Sequence, residues 1–156
     1  MKIVSLLPSS TEIVCKLGFR ENLVGVSHEC DYPVSVKDLP ILTKPRFSLI
    51  ESSQKIDNSV QDLLKKGLSV YEVNTDLLKK LAPDLIITQA QCEACAVSLN
   101  DVKEAVSDWV GNKPDIVSLE PNYLDEVWSD FERVGEKLNS SDSYLKFKSE
   151  IEQRLE

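Results

Sequence analysis

The ligand-forming side chains of this sequence are few: one histidine, His28, and four cysteines, Cys15, Cys30, Cys92 and Cys95. Imidazole and thiolate are the usual ligands of zinc and of iron–sulfur centres. Cys92-x-x-Cys95 can be half of such a site, a redox pair, or two small buried residues. His28-x-Cys30 would add an imidazole and a third sulfur, so His28, Cys30, Cys92 and Cys95 make a tetrahedral set able to take zinc or iron. A single CxxC is not a finger pattern, and reduced thiols packed beneath loops account for the same residues. Cys15 falls on the inner side of a helix and reads as core. His28 has a second use, because neutral imidazole can ligate cobalt or iron at the centre of a flat chelate. Hydrogen bonding to loop backbone is the plainer role for the same ring.

Other polar residues fall into short segments with functional character. Ser9-x-x-Glu12 matches a capping box, in which the hydroxyl and the carboxylate satisfy free N–H groups at a helix start. The same N–H groups can meet an anionic part of a ligand, which makes Pro8, Ser9, Ser10 and Thr11 candidates. Glu29 and Tyr32 follow His28, while Gln89 and Gln91 precede the CxxC. Glu93 and Glu120 are acids in comparable segments. Tyr32, Phe47 and Tyr71 offer faces for stacking. The five glycines are spread too widely for a dinucleotide turn or a phosphate loop. An enzyme would have only the Cys92 or Cys95 thiol as nucleophile, with no residue in the pattern to activate it.

These segments need a frame. Lys2–Leu7, Leu23–Ser27, Asp84–Thr88 and Asp115–Leu119 are short apolar runs, as expected of strands buried on both faces. Leu68–Val73 is a weaker candidate. Helical patterns lie between them: Val102, Ala105, Val106, Trp109 and Val110 share one face, as do Leu124, Val127, Trp128, Phe131, Val134 and Leu138. Gly18, Gly67 and Gly111 stand where helices should stop. Alternating strand and helix predict an α/β fold, an open parallel sheet of four to five strands with helices on both faces. In such a sheet ligands sit beyond the carboxyl ends of the strands, where the segments above fall. The stretch 28–53 has little periodicity and reads as a long functional loop.

Composition narrows the partners. The 156 residues are 42% hydrophobic and 28% charged, normal for one globular domain. With 26 acidic against 18 basic residues the formal charge is -8, which argues against nucleic acid. No apolar run approaches the ~20 residues of a membrane helix. The start is too short in apolar residues for a secretory signal, so a cytoplasmic protein is expected, or a periplasmic or extracellular one in trimmed form. Ser140-Ser141-Asp142 breaks the preceding helix, and Tyr144, Phe147, Ile151 and Leu155 then form a narrow stripe in a helix without a stop. A fragment is expected, divided as 1–139 and 140–156, with the last helix outside the compact core and able to drive self-association.

Taken together, Ile3-Val4-Ser5-Leu6-Leu7-Pro8-Ser9-Ser10-Thr11-Glu12, Leu17-Gly18, Val24-Gly25-Val26-Ser27, Asp31-Tyr32-Pro33 and Leu81-Ala82-Pro83-Asp84-Leu85-Ile86-Ile87 resemble class III periplasmic binding proteins. These receptors deliver cobalamin, haem and iron–siderophore complexes to ABC importers, and the cobalamin-binding branch is the nearest likeness. The resemblance implies a Rossmann-like N-terminal lobe followed by the start of a long helix to a second lobe that this chain lacks. It implies recognition of a metal chelate, first among them a corrinoid, with no catalysis and no required cofactor. It also implies an ABC permease as partner, with Glu93 near the position of an acidic docking residue. The alternative is an intracellular metal-binding module built on His28, Cys30, Cys92 and Cys95.

Overall fold

Aliphatic runs build the centre of the molecule. The computed structural model describes residues 1–47, 52–65, 70–90, 97–109 and 112–155. Its elements in chain order are β1 (Ile3–Ser5), α1 (Pro8–Lys16), β2 (Leu23–Val26), β3 (Thr43–Pro45), α2 (Ser53–Lys65) and β4 (Tyr71–Val73). They continue as α3 (Thr75–Leu81), β5 (Leu85–Gln89), α4 (Leu99–Ala105), β6 (Asp115–Leu119), α5 (Leu124–Lys137) and α6 (Ser141–Leu155). Four strands form one parallel sheet in the order β2-β1-β5-β6. These are the four apolar runs of the sequence.

The weaker candidate behaves differently. Tyr71–Val73 pairs antiparallel with Thr43–Pro45 in a separate two-stranded sheet. The Thr-Lys-Pro strand carries no apolar run, and its proline suits only an edge, so the expected loop 28–53 hides a strand. Thr43 turns inward and is buried, while Lys44 points out and pairs with Glu72 at 2.7 Å.

Alternation along the central strands sends side chains to two cores. Ile3, Leu85, Ile87 and Val117 face one core with Ile13 and Val14 of α1 and Val134 of α5. Val4 and Ile86 face the other with Leu78 of α3 and Val102 of α4. Helix α1 begins at Pro8, whose missing N–H costs nothing at the first helical position. It ends at Gly18, where φ is +93°, a conformation that favours glycine.

The last helix is where expectation and structure part. Tyr144 is 4% exposed and joins the core beside Val134 and Leu138, and Phe147 stacks on Phe131 with ring centroids 5.6 Å apart. The first half of the stripe therefore docks on its own lobe. The chain reverses at Asn139, with φ +52°, and Ser140 N–H donates to Gly135 O at 2.8 Å. Gly135 permits the contact, since a Cβ there would lie 3.1 Å from the Tyr144 Cβ. Ile151 is half-buried and Leu155 remains 65% exposed. Replacing Tyr144 by Ala should cost about 3 kcal/mol, the usual size of a large aromatic deletion from a core. Urea unfolding reads this directly, and an unchanged midpoint would mean that α6 does not contribute to the core.

Candidate functional site

Because the four strands run parallel, their carboxyl ends share one side of the molecule, and the residues that follow them line it. After β1 come Pro8 and Ser9 at the start of α1. Leu7 holds the cap position with no side-chain bond, so the capping box expected of Ser9 and Glu12 does not form. Proline at the first helical position sets the start one residue earlier than a Ser9 cap would require. Ser9 is instead exposed at the edge.

Ser10 and Thr11 are fully buried and brace the turn from below. Thr11 Oγ1 lies 2.7 Å from Ser5 Oγ and 3.2 Å from Cys30 Sγ, and Ser10 Oγ donates to Leu7 O at 3.1 Å. These residues hold the edge rather than face a ligand. Burial pushes the Cys30 thiol above its ordinary range, against the opposing pull of the Thr11 hydrogen bond.

His28, half-buried after β2, belongs to a separate network. Its backbone N–H donates to Thr43 Oγ1 at 3.0 Å, and its Nδ1 lies 2.7 Å from the same oxygen. Thr43 Oγ1 donates to Ser27 Oγ at 3.0 Å. The Tyr71 ring lies against the imidazole with centroids 5.1 Å apart, and its hydroxyl donates to Glu29 Oε1 at 3.2 Å. The strand β3 thus delivers Thr43 to the site, and β4 delivers Tyr71. Among the described residues no group of three or more His, Cys, Asp or Glu is placed to hold a metal ion. Gln91, Cys92, Glu93 and Cys95 lie outside the described residues.

Gln89 is half-buried at the end of β5, and Glu120 is exposed after β6. The Glu120 N–H donates to Asp130 Oδ2 at 3.1 Å. Asp130 is itself buried and paired with Arg133, which also donates to Ser118 O at 3.0 Å. Glu126 accepts from the N–H groups of Asn122 at 2.6 Å and Tyr123 at 3.3 Å. These backbone bonds hold its carboxyl below the usual range. The anchored loop presents Tyr123, 72% exposed, as an aromatic face at the edge. Sequence reading missed Tyr123 and Asp130. The signal for Asp130 was an acid lying within the apolar face of α5. Tyr32 sits elsewhere: it is 56% exposed and, with Glu12, Cys15, Lys16 and Pro33, lines a pocket of about 200 Å³ on the flank of α1.

An open parallel sheet with helix starts and anchored loops along one edge is a Rossmann-like binding lobe. Residues 3–156 match the periplasmic binding protein family, and the chain belongs to it. A possible iron-binding, periplasmic solute-binding protein from Staphylococcus epidermidis superposes with a TM-score of 0.67 at 23% identity, over 97% of this chain and 47% of the other. A periplasmic heme binding protein from Pseudomonas aeruginosa gives 0.68 at 21% identity, over 99% and 44%. The periplasmic vitamin B12 binding protein BtuF of Vibrio cholerae gives 0.66 at 22% identity, over 99% and 48%. At these identities the likeness concerns the fold. The chain spans about half the length of the solved structures it matches. A search of curated proteins finds no match. Among the described residues, no helix is long and apolar enough to cross a membrane.

Burial and the neighbouring Glu29 carboxylate together raise the Tyr71 phenol above its ordinary range. The fold keeps that phenol protonated, so its contribution to stability is complete at neutral pH and is lost as pH rises past the ordinary tyrosine range. Glu29→Gln should lower the ionisation midpoint of Tyr71, read as phenolate absorbance with Tyr71→Phe as the subtraction control. A midpoint that does not move would show that Glu29 and Tyr71 are not in contact.

Proposed function

We propose that this chain is one solute-recognition lobe for a metal chelate, first among them a corrinoid, in a substrate-binding protein that serves an ABC permease. Recognition is its whole chemistry, and the metal comes with the solute rather than residing in the protein. Family membership, and relatives named for iron, heme and vitamin B12, support the chelate class. One lobe supplies half of the contacts of an enclosed cleft. Glu93 is the proposed docking acid for the permease.

The charge of the edge carries the choice among chelates. Segments 8–12, 27–32 and 120–123 contain no Lys or Arg, and among the described residues Glu29 and Glu120, which follow β2 and β6, are exposed acids. An edge of this sign repels a chelate rimmed with carboxylates or catecholates. It tolerates a corrin, whose rim of neutral amides can exchange hydrogen bonds with Ser9, Gln89 and the exposed carboxylates. Tyr123 would then lie against an apolar stretch of the ligand.

Equilibrium dialysis of the 156-residue chain against cyanocobalamin and ferric protoporphyrin tests the choice. Cobalamin should bind more tightly. Glu29→Lys with Glu120→Lys should improve protoporphyrin binding by about tenfold, roughly 1.4 kcal/mol, through attraction of its propionates. A native chain that prefers protoporphyrin would contradict the reading.

A further inference from the structure

We propose that Cys15 and Cys30 are a dithiol pair that closes to a disulfide by exchange with a small-molecule disulfide, fastening the loop after β2 to helix α1. The bond would form whether or not a chelate binds.

Helix spacing brings the two thiols together. Thr11 and Cys15 stand four residues apart on α1, so they share one face, with Cβ atoms about 5–6 Å from each other. Cys30 Sγ lies 3.2 Å from Thr11 Oγ1 and therefore meets that face. The chain after Cys30 then follows the helix toward Cys15, because Tyr32 and Pro33 line the pocket of about 200 Å³ together with Glu12, Cys15 and Lys16. Segment 30–33 thus runs alongside the Thr11–Cys15 turn. The electrostatics agree with this nearness. Burial raises the Cys15 thiol above its ordinary range, Arg20 opposes the rise, and Glu12 and Cys30 add to it. A disulfide joins Cβ atoms roughly 3.5–4.5 Å apart, so closure draws the Cys30 loop in against α1 and narrows the pocket between them.

Exposure sets the order of events. Cys30 is 7% exposed, while Cys15 is half-buried and borders the pocket. The Cys15 thiolate attacks one sulfur of the incoming disulfide, forms a mixed disulfide and releases the first small thiolate. The Cys30 thiolate then attacks Cys15 Sγ, the Cys15–Cys30 bond forms, and the second small thiolate leaves. Two electrons pass from the protein thiols to the small disulfide, and the two protein protons end on the two departing thiols. Both cysteines are held above their ordinary range, so exchange is slow and is read at equilibrium. The closed bond spans residues 15 positions apart and restricts the unfolded chain. It also fixes the segment that carries His28 and Glu29 at the carboxyl edge of the sheet.

The test equilibrates the folded 156-residue chain with oxidised glutathione, blocks remaining thiols by alkylation and maps tryptic peptides by mass spectrometry. Cleavage after Lys2, Lys16, Arg20 and Lys37 places the two cysteines in separate peptides, Ile3–Lys16 and Glu21–Lys37. These should be found joined to each other, as the main form of both cysteines. The same link should form when Cys92→Ser and Cys95→Ser remove the competing thiols. In that variant oxidation should raise the thermal midpoint by about 5 °C, and dithiothreitol should reverse the shift. Adding Cys15→Ser or Cys30→Ser should abolish both the link and the shift. Three results would overturn the proposal: both cysteines still reduced, glutathione left on Cys15 with Cys30 unlinked, or a Cys15–Cys30 link that forms only after unfolding in urea.

Discussion

The shared carboxyl edge of the sheet depends on the burial of one short strand. β1 pairs with β2 on one side and β5 on the other, and Ile3, Val4 and Ser5 are all fully enclosed. A strand in that position must run parallel to both neighbours when each connection is a helical crossover. Parallel direction is what brings the starts of α1 and α5 and the loop holding His28 to one side. Antiparallel pairing at this point would scatter the same residues to opposite ends of the sheet.

Three buried polar anchors then hold the loops on that frame. Ser5, Ser10 and Thr11 tie the start of α1 to the strand beneath and reach Cys30 in the next loop. Thr43 secures both the backbone and the ring of His28. Asp130 captures the Glu120 N–H and so secures the chain after β6. Each anchor is fully enclosed by protein, where a hydrogen bond is strong and an unpaired group is costly. The exposed partners, by contrast, are free to meet a solute. Ser9 is exposed and Gln89 half-buried, whereas Ser10 and Thr11 are fully buried.

How much of this was legible follows from the range of the interactions. The four sheet strands were readable because β-branched and aliphatic runs report burial locally. The pairing of Thr43–Pro45 with Tyr71–Val73 was not, since Thr-Lys-Pro has no hydrophobic pattern and its partner lies far along the chain. The Ser9 cap was misplaced because proline overrode the hydroxyl signal one residue earlier. His28 was picked out by its residue type, but Thr43, whose hydroxyl meets both its backbone N–H and its ring, could be found only in three dimensions. Tyr144 was read as part of a free stripe because its burial rests on the reversal at Asn139 and Ser140 and on the absence of a side chain at Gly135.

On the proposed reading, the solute meets the carboxyl side of the sheet. Backbone amide resonances of the isotope-labelled chain, followed during addition of cyanocobalamin, test it most directly. Shifts confined to Ser9, His28, Glu29, Gln89, Glu120 and Tyr123, with the amides of Lys2, Asp84 and Asp115 at the opposite ends of the strands unmoved, are the predicted result. Shifts concentrated at Lys2, Asp84 and Asp115 instead would contradict the account.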